Sequence, residues 1–145
     1  MKMNSTLRAL VVAAALVSAA GLAAARSSVM VELGRQAIVT ADGKASTVET
    51  VRKAIIAGGA RHSWKPVGDQ PGVLTLEADS GSHQAVVDVA YDAQGFQITY
   101  KSSANLNYEH TDKKTSIHPK YNKWIEDLSS SIRSAAISTA PAPSN

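Results

Sequence analysis

Between Val73 and Lys101 the chain reads as three runs in which apolar side chains recur at every second residue. Leu74, Leu76 and Ala78 alternate with Val73, Thr75 and Glu77. Ala85, Val87, Val89 and Tyr91 alternate with Gln84, Val86, Asp88 and Ala90, and Phe96, Ile98 and Tyr100 with Gln97, Thr99 and Lys101. Successive side chains of a strand point to opposite faces, so this period describes strands with one buried face and one wet face. The turn-forming stretches "DQPG", "DSGS" and "DAQG" precede the runs and leave no room for crossover helices. The runs must therefore pair antiparallel, as a meander. A fourth strand is expected upstream in "RHSWKPVGDQPG", where two prolines restrict it to an edge or an irregular strand.

Helical patterns flank the meander. In "STVETVRKAIIAGG", Ser46 with Glu49 three residues on has the pattern of a capping box, Val48, Val51 and Ile55 fall on one stripe, and Gly58-Gly59 is expected to stop the helix. A polar stretch, Ser102 to Ser116, reads as a loop. "SIHPKYNKWIEDL" then opens a second helix, with Pro119 suited to the first helical position and the His118 ring placed to cap it. Tyr121, Trp124, Ile125, Leu128 and Ile132 recur at helical spacing. The expected fold is α+β, a two-layer sandwich of about four meander strands with both helices on one face. Tyr91, Phe96, Ile98, Tyr100 and Trp124 should meet in its core.

The ends have other compositions. Lys2 and Arg8 precede an apolar run of small residues, Ala9 to Leu22, followed by Ala23-Ala24-Ala25, the pattern of a secretory signal peptide cleaved after Ala25. The run is short for a membrane span and is built largely from Ala. Residues 26–45 read as an N-terminal arm or lead-in strand, residues 46–137 as a single α+β domain, and "STAPAPSN", 138–145, as a disordered tail. The expected location is the periplasm. Of the 15 Lys and Arg, Lys2 and Arg8 leave with the signal peptide, so 13 face 12 acidic residues and the net charge falls to +1. No basic stripe remains to neutralise several phosphates, so no nucleic-acid partner is expected. The chain has no cysteine, which excludes disulfides, a thiol nucleophile, a thiolate metal site and a lipid anchor.

The chemistry-bearing residues are sparse. His62, His83, His110 and His118 show no paired metal-ligand spacing, and the first three fall at turns or in loops where solvent exposure is expected; no metal or cofactor is expected. There is no G-x-S-x-G, H-E-x-x-H or G-x-G-x-x-G pattern. The densest group of polar and aromatic residues surrounds the start of the second helix. Tyr121 and Trp124 read as core aromatics that clamp this helix to the sheet. Asn122 has four hydrogen-bonding sites and, when partly buried, needs a partner such as the Asn105 loop or a backbone carbonyl. Asn105, Tyr108, His118 and Asn122 are the candidate ligand-binding residues, lining a shallow polar groove.

Several stretches carry a resemblance. "VRKAI", "HSWKP", "PGVLTLEA", "HQAVVDVAYD", "FQITYKSSANLNYE" and "IHPKYNKWIEDL" resemble a family of small, functionally uncharacterised bacterial envelope proteins, many of them classed as lipoproteins. The similarity runs from about Val48 to Ile132. It centres on Tyr100, Ser103, Asn105, Leu106 and Tyr108, and on Ile117, His118, Tyr121, Asn122, Trp124, Ile125 and Leu128 in the final helix. The resemblance implies an exported domain of helices on an antiparallel sheet and implies no reaction. Without a cysteine near the cleavage site, this chain departs from the relatives that carry a lipid anchor.

The sequence therefore supports a non-enzymatic periplasmic domain that binds an envelope protein, a peptide or a small molecule. Two alternatives are a small hydrolase whose site assembles only in three dimensions, for instance by bringing His118 to Asp88 or Glu109 and a serine, and a structural subunit or inhibitor presenting an open strand edge near Trp64.

Overall fold

The structure, a computed structural model, describes residues 27–139. The signal peptide expected over 1–25 lies outside these residues, as does the tail apart from 138 and 139. Those two extend the final helix rather than opening a coil, and the Ser138 hydroxyl donates to the Ser134 carbonyl, 3.1 Å, one turn back.

The protein is α+β, with two helices and two antiparallel sheets among the described residues. In chain order the elements are β1 (Ser28–Val29), β2 (Arg35–Ala37), α1 (Val48–Ala60), β3 (Lys65–Gln70), β4 (Val73–Ser80), β5 (His83–Tyr91), β6 (Gly95–Ala104), β7 (Glu109–His110), β8 (Thr115–Ile117) and α2 (Pro119–Thr139). The larger sheet has the order β2-β6-β5-β4-β3. Its β3 to β6 portion is the meander that the alternation requires, with Leu74, Leu76, Ala78, Ala85, Val87, Val89, Phe96 and Ile98 buried on one face. Tyr91, Tyr100 and Trp124 pack against this core while staying partly exposed.

Two parts of the architecture extend the expected four strands. First, the lead-in segment joins the sheet as β2, paired with the start of β6. Its Arg35 donates to both carboxylate oxygens of Asp92 at 2.6 and 2.7 Å. Asp92 also accepts the Gln94 and Gly95 amides of the β5–β6 turn. The Gln94 amide first, and then Arg35, hold its carboxyl below the usual carboxylate range. Second, the stretch expected as a loop over Ser102–Ser116 contains β7 and β8, which form a three-stranded sheet with β1 in the order β1-β8-β7. A tight turn at Thr111, whose hydroxyl accepts the Lys114 amide, folds this hairpin back. β3 is an edge strand, as Pro66 requires, and carries a bulge between Pro66 and Gly68. Trp64 precedes it and is buried, 2% exposed, so the aromatic ring is not part of an open edge.

The start of α1 differs from the expected capping box. Thr47, not Ser46, is the N-cap, and its hydroxyl accepts the Thr50 amide at 3.1 Å. Glu49 faces Lys53 instead, 4.0 Å away. The Ser46 hydroxyl is buried with no partner among the described residues. Val48, expected on the buried stripe, is half exposed because it begins the helix. Thr47→Ala should therefore cost about 1 kcal/mol in urea unfolding, whereas Ser46→Ala should leave stability unchanged or raise it. Equal losses at both positions would contradict this cap.

Gly58 and Gly59 do not stop α1; both lie inside it and are buried. A Cβ added at Gly58 would sit 2.6 Å from the Ile132 nitrogen and 2.7 Å from its Cα. The glycine is there because the backbones of α1 and α2 cross at that point, and no side chain fits between them. Val51, Ala54 and Ile55 of α1 join Tyr121, Ile125, Leu128, Ile132, Ala135 and Ala136 of α2 in one cluster with the inner face of the sheet.

Candidate functional site

The start of α2 is built from local hydrogen bonds. Pro119 is its first residue. The His118 Nδ1 accepts the Lys120 amide at 3.1 Å, so the imidazole caps the helix as its position suggested. The His118 backbone N–H donates to the Leu106 carbonyl at 2.7 Å, which seats Leu106, 1% exposed, beneath the preceding loop. That loop reverses through Asn105 and Asn107, both in the left-handed region at φ 57° and 52°, which asparagine tolerates better than most residues.

Asn122 uses three of its four hydrogen-bonding sites. Its Oδ1 accepts the Val31 amide at 2.9 Å, and its Nδ2 donates to the Ser28 hydroxyl at 3.0 Å and the Val29 carbonyl at 2.8 Å. Its partners, the expected backbone carbonyl among them, belong to the N-terminal arm rather than to the Asn105 loop. The arm lies within reach because β1 pairs with β8 and Met30 donates to the Thr115 carbonyl. Residues 28–31 are thereby strapped across the foot of α2.

Beyond this strap the arm turns at Gly34 (φ 64°) into β2. Between the arm, the middle of β6 and the β7–β8 hairpin lies an open cleft of about 370 Å³. Three tyrosines line it. Tyr108 stacks on Tyr100 with centroids 4.3 Å apart and planes 10° apart, and Tyr100 meets Tyr121 edge-on at 5.7 Å. Tyr121 is 1% exposed. Burial, and then the neighbouring Tyr100, Glu32 and Tyr108, push its hydroxyl well above the usual phenol range, so it stays neutral. Glu32, Gln97, Thr99, His110 and Thr115 supply the remaining polar lining.

The four candidate residues are not brought to one groove. Tyr108 lines the cleft. Asn105 donates to the Ser82 carbonyl at 2.6 Å, and His118 lies against the ring of His83 at 5.4 Å, so these two meet at the β4–β5 turn. Asn122 holds the strap. Trp124 meets Trp64 edge-on, with centroids 6.4 Å apart, and carries Lys120 5.4 Å over its ring. His62 and His110 are exposed, and bond the hydroxyls of Ser131 and Thr115 respectively. His83, expected to be exposed, is partly buried inside β5. Asp88 bonds Thr75 and pairs with Lys101 on the outer sheet face, in a cleft with no histidine among its described lining residues. Glu32, His110 and Thr115 were not among the candidates; Glu32 sits in the weakly patterned arm and the other two in the supposed loop.

The fold and site define an α+β protein with a tyrosine-walled cleft beside its longest strand. No protein-family model matches the chain, and neither the curated proteins nor the solved structures contain a significant match. Among the described residues, no helix is long and apolar enough to cross a membrane, and no group of three or more acidic or histidine side chains is placed to share a metal ion.

Proposed function

We propose that this protein is a non-enzymatic binding module of the bacterial cell envelope, exported through the leader at residues 1–25, and that it takes an envelope component in the Tyr108 cleft. The observation that carries this reading is the cleft itself. Polar groups, Glu32, His110 and Thr115 among them, stand beside an exposed aromatic ring, Tyr108, 41% exposed. An exposed ring next to polar groups is an arrangement that ligand sites use and cores do not. The A-x-A leader and the resemblance to envelope proteins support the location.

Adding muropeptides and short peptides to the isotope-labelled protein should shift the amide resonances of Gln97–Tyr100 and Tyr108. Tyr108→Ala should abolish those shifts at a cost in stability of about 1 kcal/mol, since it removes a partly exposed ring and its stacking on Tyr100. Shifts that survive this substitution, or that map to the Asn105–His83 end, would place the binding surface elsewhere. Fractionation of tagged cells should find the protein in the periplasm with Arg26 at its N-terminus; retention in the cytoplasm would remove the envelope assignment.

A further inference from the structure

The outer edge of β6 is only partly covered. β6 has ten residues, yet β2 pairs with Gly95, Phe96 and Gln97 alone. Past that point no described strand lies beside β6 on this side, because the arm turns away at Gly34 toward β8 and Asn122. The uncovered part begins at Ile98–Tyr100, and those residues line the cleft. An uncovered strand edge presents backbone N–H and C=O groups in the spacing of another strand, and an extended chain satisfies them best.

The opposite end of the sheet shows what a defended edge looks like. β3 carries Pro66, which has no N–H to offer, and a bulge that breaks its register. β6 has no proline beside the cleft, and its own bulge lies just past it: Lys101 is the extra residue between Tyr100, opposite Val87, and Ser102, opposite Val86. Gln97–Tyr100 stay in regular register, so the bulge bounds the open stretch at Tyr100 without interrupting it. About three residues of strand span roughly 10 Å, a length matched to Ile98–Tyr100 rather than to a whole domain.

Charge selects among extended chains. Among the described residues, Glu32 is the single Asp, Glu, Lys or Arg side chain lining the cleft, and none of the described ion pairs engages it. A cleft with one uncompensated carboxylate beside an exposed tyrosine ring suits a long basic side chain, whose alkyl stem covers the ring while its head meets the carboxylate.

Resting on the reading of the cleft as a binding site, we propose that its ligand is an extended, Lys- or Arg-bearing peptide segment of a partner protein. The segment adds to the outer edge of β6 at Ile98–Tyr100, in the line β2 would follow if it continued. Its basic side chain lies against Glu32 and Tyr108.

The test begins with selection of phage-displayed linear 12-residue peptides on the purified protein. The winners are then synthesised and titrated by calorimetry. The expected winners carry Lys or Arg among β-branched residues. Methylating their backbone nitrogens at alternate positions should weaken binding by about tenfold or more, through a lost hydrogen bond and a clash, and leave the intervening positions almost unaffected. Glu32→Gln, at an exposed site, should weaken basic peptides about two- to fivefold without altering the fold. Failure to select any peptide, or winners indifferent to N-methylation, would overturn strand addition. Winners indifferent to Glu32→Gln would overturn the basic preference. If the cleft resonances respond to muropeptides while peptides fail, the binding module stands and only its peptide ligand is wrong. If both probes are silent, both readings fall.

Discussion

Gly58→Ala should lower the stability of the protein by about 2 kcal/mol in urea unfolding, even though alanine is the better helix former. The added methyl would lie 2.6 to 2.8 Å from three backbone atoms of Ser131 and Ile132. Backbone cannot rotate aside as a side-chain tip can, so the helices must separate and open gaps among Val51, Ile55, Leu128 and Ile132, all completely buried. Overpacking of this kind typically costs about 1–3 kcal/mol, and the separated helices also forfeit dispersion attraction between the side chains around the crossing. The helix-propensity gain of about 1 kcal/mol only partly offsets this. The neighbouring Gly59→Ala is the internal control. Its nearest neighbour is the Trp64 Cβ at 3.3 Å, followed by a flexible Leu76 methyl at 3.5 Å. That substitution should fall within about 1 kcal/mol of the parent. If Gly58→Ala matches or exceeds the parent in stability, α1 and α2 do not cross where they are placed.

Asn122→Ala should cost about 2 kcal/mol. It removes three hydrogen bonds at once and leaves the partly buried Val31 N–H without its acceptor. The effect should also be local. Hydrogen exchange should accelerate at Met30 and Val31, while the β4–β5 ladder keeps its protection. Asn122→Asp keeps the acceptor for Val31 but sets a carboxylate against the Val29 carbonyl, so it should rescue little. A loss below about 0.5 kcal/mol in Asn122→Ala would mean that the arm is held by β1–β8 pairing alone.

These two positions show where a sequence speaks plainly and where it does not. The meander was legible because each strand repeats its signal: Leu74, Leu76 and Ala78 state the buried face three times within one run. Pro119 and His118 were legible because a helix start uses local chemistry, complete within a few residues. Gly58 and Asn122 belong to interactions between elements far apart in the chain. A glycine pair serves equally as a helix stop or as a close crossing, and only the position of Ile132 separates the two uses. Asn122 plainly needed a partner, but that partner, at Ser28 to Val31, lies in a segment with no periodicity. β7 and β8 were missed for the same reason, since strands of two or three residues are too short to alternate and their sheet is completed by β1. Of the candidate site, Tyr108 was legible as an aromatic in a polar stretch, while Glu32 had no signal that marked it.

The strap between the arm and Asn122 spans about 90 positions of sequence, with Val31 and Asn122 separated by 91. Synthesis runs from the N-terminus, so the arm emerges long before the helix that receives it. An intermediate lacking α2 has only the β1–β8 pairing to hold residues 28–31, and one wall of the Tyr108 cleft is therefore completed late. Long-range closures of this kind slow folding, because chain entropy is lost before the closure repays it. A chain interrupted before its final helix could still build the meander, but it would have no finished cleft.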